Sequence, residues 1–246
     1  MEGTLASISI APVKGLGLTG LQRAQVTPVG IPENRRFHLL NDRGHLVNNK
    51  NIGPLMTVRS EWSEDTGVLA LVFPDGRRVE DEVRLGDEVD GAFFGLPRPG
   101  RVVEGEFSAA LTEFGGRGLR LVQTPPGVSV DRGPDSAISL LSTAGLGDFD
   151  ARRFRMTFAI DGVPPFAEDG WIGRDVRIGD VVVRPLGVTG RCKVTSMDPD
   201  TGERDMDMLE WIRANRPKLP GEPLPFGVHG RVVTPGEVAV GDRVLV

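Results

Sequence analysis

The chain has 246 residues, enough for one large domain or two modest ones with a sizeable core. Its net charge of −5 argues against a protein that grips a nucleic-acid backbone, but not against a local basic pocket for a small phosphorylated ligand. One cysteine permits no intrachain disulfide, no signal-peptide pattern opens the sequence, and no apolar run approaches the ~18 residues of a membrane span, so the composition reads as soluble and cytoplasmic, with no membrane and no nucleic-acid partner.

Strand patterns dominate in chain order. Residues 5–10 mix Leu and Ile with serines and stop before Pro12. Gly15-Leu16-Gly17-Leu18-Thr19-Gly20 then matches a GxGxxG spacing, which suits a dinucleotide only when a helix follows. Residues 21–28 show no amphipathic turn, so the run reads as a glycine-rich loop leaving a strand. A strand is expected at 68–73, a turn at Pro74-Asp75-Gly76, and strands at 77–79 and 119–122. Leu140-Leu141-Ser142 suggests a strand ending at Ser142, which N-caps a short helix to about residue 146. Further strands follow at 158–160 and 181–183. The clearest helix covers 205–215, with Met208, Leu209, Trp211 and Ile212 on one side and Pro217 as its stop. Residues 217–225 read as an ordered proline-rich loop before strands at 231–233 and 243–246.

A Gly-Asp signature appears three times between β-forming residues, at Gly86-Asp87, Gly179-Asp180 and Gly241-Asp242, and suits a tight reversal with positive φ at glycine. Short strands with occasional helices favour barrels over a parallel α/β sheet. The expected fold is therefore mainly β with a few short helices. Gly, Pro and Arg accumulate between residues 98 and 123, which divides the chain into domains of 1–115 and 116–246.

Several familiar chemistries are missing from the pattern. His38, His45 and His229 are scattered and, with one cysteine, build no zinc framework. No phosphate-loop lysine motif and no GxSxG elbow is present. Asp198-Pro199-Asp200-Thr201-Gly202 reads structurally as a hairpin loop. Cys192 lies between Arg191 and Lys193. Two readings stand side by side: a small buried hydrophobe, or a thiolate favoured by its basic neighbours and suited to a soft metal. Lys14, Arg35-Arg36 and Arg152-Arg153 with Arg155 are candidates for an anion site or solvated surface charges. Arg155 lies among Phe154, Met156 and Phe158, a setting in which arginine is often half-buried against an anion. Ser142 and Thr143 at a helix start would add donors for phosphate.

Together these residues resemble the MOSC-domain proteins, in particular the branch that includes the mitochondrial amidoxime-reducing component. The resemblance covers nearly the whole chain. It is carried by Pro12-Val13-Lys14, the run at 30–40, Leu140-Leu141-Ser142-Thr143, Arg153-Phe154-Arg155, Phe166-Ala167-Glu168-Asp169, Arg191-Cys192, the Asp198 loop and Phe226-Gly227-Val228. It implies an N-terminal MOSC-type β-barrel domain followed by a MOSC barrel resembling the pyruvate-kinase β-barrel. It also implies a molybdenum–molybdopterin cofactor (Moco), with Cys192 as metal ligand and Lys14, Arg36, Ser142, Thr143, Arg155, Arg191 and Thr157 around it. Two positions depart from the family: Gly15 replaces a serine and Thr157 an asparagine, so both lose polar reach. The reaction so implied is reduction of a small N-oxygenated substrate by oxygen-atom transfer, with Asp198 supplying protons. One cysteine cannot build an all-cysteine iron–sulfur cluster, so an external electron-transfer protein is expected. A persulfide sulfur carrier using Cys192 without metal, and a cofactor-delivery module, remain as alternatives.

Overall fold

The computed structural model describes residues 1–93, 96–125, 130–131, 133–217, 219 and 221–246. The N-terminal half contains β1 (Glu2–Ile10), β2 (Thr19–Leu21), β3 (Arg23–Val26), β4 (Phe37–Leu40) and β5 (Leu46–Val47). It continues with β6 (Arg59–Ser63), β7 (Val68–Val72), β8 (Arg78–Glu82), β9 (Leu85–Phe93), β10 (Leu96–Val103), helix α1 (Phe107–Gly115) and β11 (Arg120–Gln123). The C-terminal half contains β12 (Ile138–Ser142), β13 (Phe158–Asp161), β14 (Val176–Ile178), β15 (Val181–Gly190), helix α2 (Met208–Asn215), β16 (Pro225–Thr234), β17 (Gly236–Ala239) and β18 (Arg243–Leu245). The chain is mainly β, as its sequence pattern suggests.

The largest sheet runs β13-β12-β16-β15-β14-β18-β1-β2, and pairing of β1 with β13 closes the first seven of these strands into a barrel. Leu5, Ile8, Ile10, Phe158, Ile160, Val181, Val183 and Val244 fill it. Leu5 is odd-numbered whereas Ile8 and Ile10 are even, yet all three point inward. A bulge between Leu5 and Ser7 resets the two-residue alternation.

The second sheet runs β5-β4-β11-β10-β9, and a bridge between His45 and Ala92 brings its two ends together. A meander of β6, β7 and β8 and helix α1 cover its core of Phe37, Leu39, Leu69, Leu71, Phe107, Leu111 and Leu121. The sheets exchange strands across the 115/116 division. β1 and β2 belong to the barrel sheet, whereas β11 belongs with β4 and β10.

Local differences from the sequence reading have physical causes. Gly179 and Gly241 take positive φ, of 53° and 97°, and turn the chain as expected. Gly86 does not, because it lies inside β9, opposite a register irregularity of β10 between Arg101 and Val103, rather than at a reversal. The GxGxxG run leads into β2 rather than a helix. α2 begins at Met208 because Asp207 caps it, accepting from the Glu210 amide at 3.0 Å, while Asp205 is bound to Arg153. Part of the proline-rich loop, at Lys218 and Pro220, lies outside the described residues.

Candidate functional site

A cleft of about 260 Å³ opens between the barrel and the N-terminal sheets. The N-terminal side supplies Lys14, Arg35, the 48–50 turn and Phe93; the barrel side supplies residues 153–156, 189–192 and His229. Asp131 is the one carboxylate among the described lining residues.

Each cation is fixed by local backbone geometry. Lys14 follows β1, where its amide donates to the Phe37 carbonyl at 2.8 Å. Arg35 has a φ of 56°, and its amide donates to the Ala11 carbonyl at 2.8 Å. This kink turns its guanidinium into the cleft, where Nε pairs with Asp131 at 2.8 Å. Lys14 Nζ pairs with the other Asp131 oxygen and lies 4.9 Å from the Phe93 ring. Burial alone would raise the Asp131 pKa, but the charges of Lys14, Arg35 and Arg155 hold it well below the usual carboxylate range. Arg155 is left-handed as well (φ 53°), ends a short 3-10 turn at Ala151–Phe154, and donates to the Leu16 carbonyl at 2.6 Å. Burial draws its pKa down to about 10, with Arg35 adding to the shift.

Arg191 is anchored by neutral acceptors. Its Nε donates to the Phe226 carbonyl and Nη1 to the Phe154 carbonyl, both at 2.8 Å. Beneath it Phe154 and Phe226 stack at 4.0 Å. Burial lowers the Arg191 pKa to about 9, against the pull of Cys192 and Glu168, so it stays charged at neutral pH. Cys192 follows immediately, exposed, at the cleft wall. The amide and hydroxyl of Thr195 both hold the Cys192 carbonyl, at 3.1 and 3.0 Å, in a 3-10 turn at Lys193–Ser196. The buried-hydrophobe reading of this cysteine is therefore set aside.

Of the residues named from the sequence, Lys14, Arg155, Arg191 and Cys192 line the cleft. Arg36, Ser142, Thr143, Thr157 and Asp198 do not line the cleft. Arg36 faces the other way from its neighbour and pairs with Glu64 at 3.0 Å, so Arg35 takes the inward place. The Ser142 hydroxyl donates to the Pro164 carbonyl at 3.0 Å, and Thr143 Oγ1 donates to Asp161 at 2.9 Å. Thr157 is buried behind the wall, its amide donating to Ser139 Oγ at 3.0 Å, and Ser139 does reach the cleft. Asp198 accepts from the amides of Asp200 and Thr201, both at 2.9 Å, and so shapes its own loop. Arg153 ties that loop to the wall through Asp205 at 2.8 Å and the Met197 carbonyl at 2.9 Å.

Asp131, Asn48, Asn49 and Ser139 also line the cleft, with no sequence motif to mark them. Their short polar side chains sit in turn-like or strand contexts that carry no signature alone. Behind the Arg191 wall, Glu168 is fully buried, and neither of its oxygens has a well-formed hydrogen bond among the described residues. Burial raises its pKa to about 7; the amides of Glu168 itself and Ser142 oppose the shift.

Residues 132–245 match the MOSC domain family, and residues 2–114 match the MOSC N-terminal beta barrel domain family. This is a MOSC-domain protein. Its relatives include the mitochondrial amidoxime reducing component 2 of Bos taurus, 28% identical over 98% of this chain and 82% of that protein. The human mitochondrial amidoxime-reducing component 1 is 26% identical with the same coverage. The molybdenum cofactor sulfurase of Caenorhabditis elegans is 25% identical over 93% of this chain and 33% of its own length. Among solved structures, the YUAD protein from Bacillus subtilis aligns over 99% of this chain and 94% of its own, at 12% identity and a TM-score of 0.45. Of these relatives, the sulfurase is named for the molybdenum cofactor. No helix among the described residues is long and apolar enough to cross a membrane.

The lining suits an anionic group bearing a soft metal. Recessed cations outnumber the single carboxylate, and the exposed sulfur stands at their edge.

Proposed function

We propose that this cleft holds the molybdenum cofactor, with Cys192 as protein ligand to molybdenum, and that the protein reduces small N-oxygenated compounds by oxygen-atom transfer. The observation that carries the reading is the cation excess beside an accessible thiol: Lys14, Arg35, Arg155 and Arg191 against Asp131, with Cys192 at their edge.

When bound, the cofactor supplies two-electron oxygen-atom-transfer chemistry; the protein binds, orients and encloses. Lys14, Arg35 and Arg155 would hold the cofactor's anionic phosphate by charge-assisted hydrogen bonds. Arg191 acts on the sulfur through the backbone. Its guanidinium fork is locked between the carbonyls of Phe154 and Phe226, which fixes the chain one residue before Cys192. The Thr195 clasp fixes the chain on the other side. Electrons come from a separate redox protein, because one cysteine cannot hold an all-cysteine iron–sulfur cluster. The cytoplasm is the proposed compartment.

Metal analysis of protein made in a cofactor-competent host tests this. The wild type carries molybdenum and reduces an amidoxime when an electron donor is supplied. Cys192→Ala loses both. A molybdenum-free wild type, or an active Cys192→Ala, overturns the proposal.

Exposure of the Cys192 thiol, together with similarity to a cofactor sulfurase, favours a second reading, a persulfide carrier. Intact-mass measurement separates the two. One extra reducible sulfur on Cys192 in metal-free wild-type protein supports the carrier.

A further inference from the structure

Two of the three asparagines in the turn after β5 have evident local roles. Asn48 Oδ1 accepts from the Lys50 amide at 3.0 Å, and Asn51 Oδ1 accepts from the Asn48 amide at 3.2 Å. Both side chains shape the turn. Asn49 does neither. It is 3% exposed and lines the cleft, and its Nδ2 meets no acceptor among the described residues. A buried amide donor left without an acceptor is destabilising and rare in folded proteins. An apolar residue of similar size would fill the position without that penalty.

The neighbourhood indicates what the donor serves. The turn lies against Gly15, directly after Lys14. A Cβ on Gly15 would sit 2.9 Å from Asn48 Cα and 3.3 Å from the Asn49 amide nitrogen, and Gly15 has a φ of +94°. A side chain at residue 15 is thus excluded by both space and backbone conformation. The asparagine turn occupies the room such a side chain would use.

We propose that Asn49 is a ligand-contacting residue: its Nδ2 donates a hydrogen bond to an oxygen of the anionic group that Lys14, Arg35 and Arg155 hold. It supplies from the turn the polar contact that Gly15 cannot make. This inference rests on the reading of the cleft as an anion site.

The test pairs inorganic-phosphate titration by calorimetry with thermal melting of the phosphate-free protein, for the wild type, Asn49→Leu and Asn49→Ala. Both variants are expected to bind phosphate about tenfold more weakly, the loss of one charge-assisted hydrogen bond. Asn49→Leu is expected to melt no lower than the wild type, since it removes an unpaired donor. Asn49→Ala keeps the binding test available if leucine fails to fold. Unchanged phosphate affinity in a folded variant overturns the Asn49 assignment alone. A leucine variant that melts lower identifies a structural amide and overturns it as well. A wild type that binds no phosphate overturns the anion cleft and this inference together.

Discussion

The two walls of the cleft hold their charges by opposite means. On the barrel wall, Arg155 and Arg191 donate to backbone carbonyls of Leu16, Phe154 and Phe226, which are neutral. Their positive charge is therefore uncompensated by their direct partners. On the loop wall, Lys14 and Arg35 share the Asp131 carboxylate, so that side carries its own counter-ion. The barrel wall is a permanent electropositive surface, whereas the loop wall is one whose charge depends on where Asp131 sits. Rigidity and charge follow from backbone anchoring in one case and from side-chain pairing in the other.

Removing the barrel anchor should have the largest effect. Arg191→Leu leaves the Phe154 and Phe226 carbonyls without their donor in a buried place, which should cost about 4 kcal/mol on the scale of 1–3 per orphaned group. Urea denaturation reads it, and a loss below about 1 kcal/mol would show that the carbonyl anchors are dispensable.

The two lobes also differ in how they respond to acid. Glu168 ionises near pH 7 in the folded barrel and near its ordinary 4.5 when unfolded. The folded state holds the extra proton between those values. Its contribution is complete below pH 4.5 and is lost as pH rises through 7, by roughly 3 kcal/mol. Glu168→Gln should flatten that slope in denaturation measured from pH 5 to 8. In the N-terminal sheet, His38 on β4 is fully buried, and burial, with Lys14 and Arg98, lowers its pKa to about 4. Its contribution is complete above pH 6.5 and falls as pH drops through 4. A mutant that removes one titration should leave the other limb unchanged.

Asp131→Asn sharpens the contrast between the walls. Freed of its internal counter-ion, the loop wall should bind inorganic phosphate about tenfold more tightly, close to 1.4 kcal/mol. Equal or weaker binding would mean that the carboxylate positions Lys14 and Arg35 more than it competes for them.

The smallest effect is expected at Asp198. Asparagine can accept the same two turn amides, so Asp198→Asn should change stability by less than about 0.5 kcal/mol. Amidoxime reduction should stay within about twofold of wild type. A large loss of turnover with unchanged stability would support the proton-donor role that the resemblance implies for Asp198.

Most of the barrel was legible because its strands announce themselves locally. Residues 158–160, 181–183 and 243–246 are short runs rich in β-formers beside turn chemistry; the first two fall within β13 and β15, and the third matches β18 except for Val246. Helix α1 is not among the elements expected from the sequence, although Phe107, Ala110, Leu111 and Phe114 have helical spacing and Gly116 ends it with a φ of 66°. Its setting among Gly, Pro and Arg masked the period. In the site, the thiol could be read because it is the chain's one cysteine, and Arg155 because it is a charge set among Phe154, Met156 and Phe158. The choice between Arg35 and Arg36 could not, since it depends on one left-handed residue. Asp131 and Asn49 reach the cleft through tertiary packing that no local pattern encodes.

The placement of β1 has a consequence for how the molecule is assembled. It lies between β13 and β18, and the amino group of Met1 donates to the carbonyl of Val246 at 3.2 Å. β13 and β18, which pair with most of β1, are therefore made long after it, whereas β2, paired with Ile8, Ser9 and Ile10, is its neighbour close in sequence. Until β13 and β18 arrive, the part of β1 that β2 does not cover stays open to other chains. Such long-range closure makes for slow folding of the barrel on which Cys192 depends for its place.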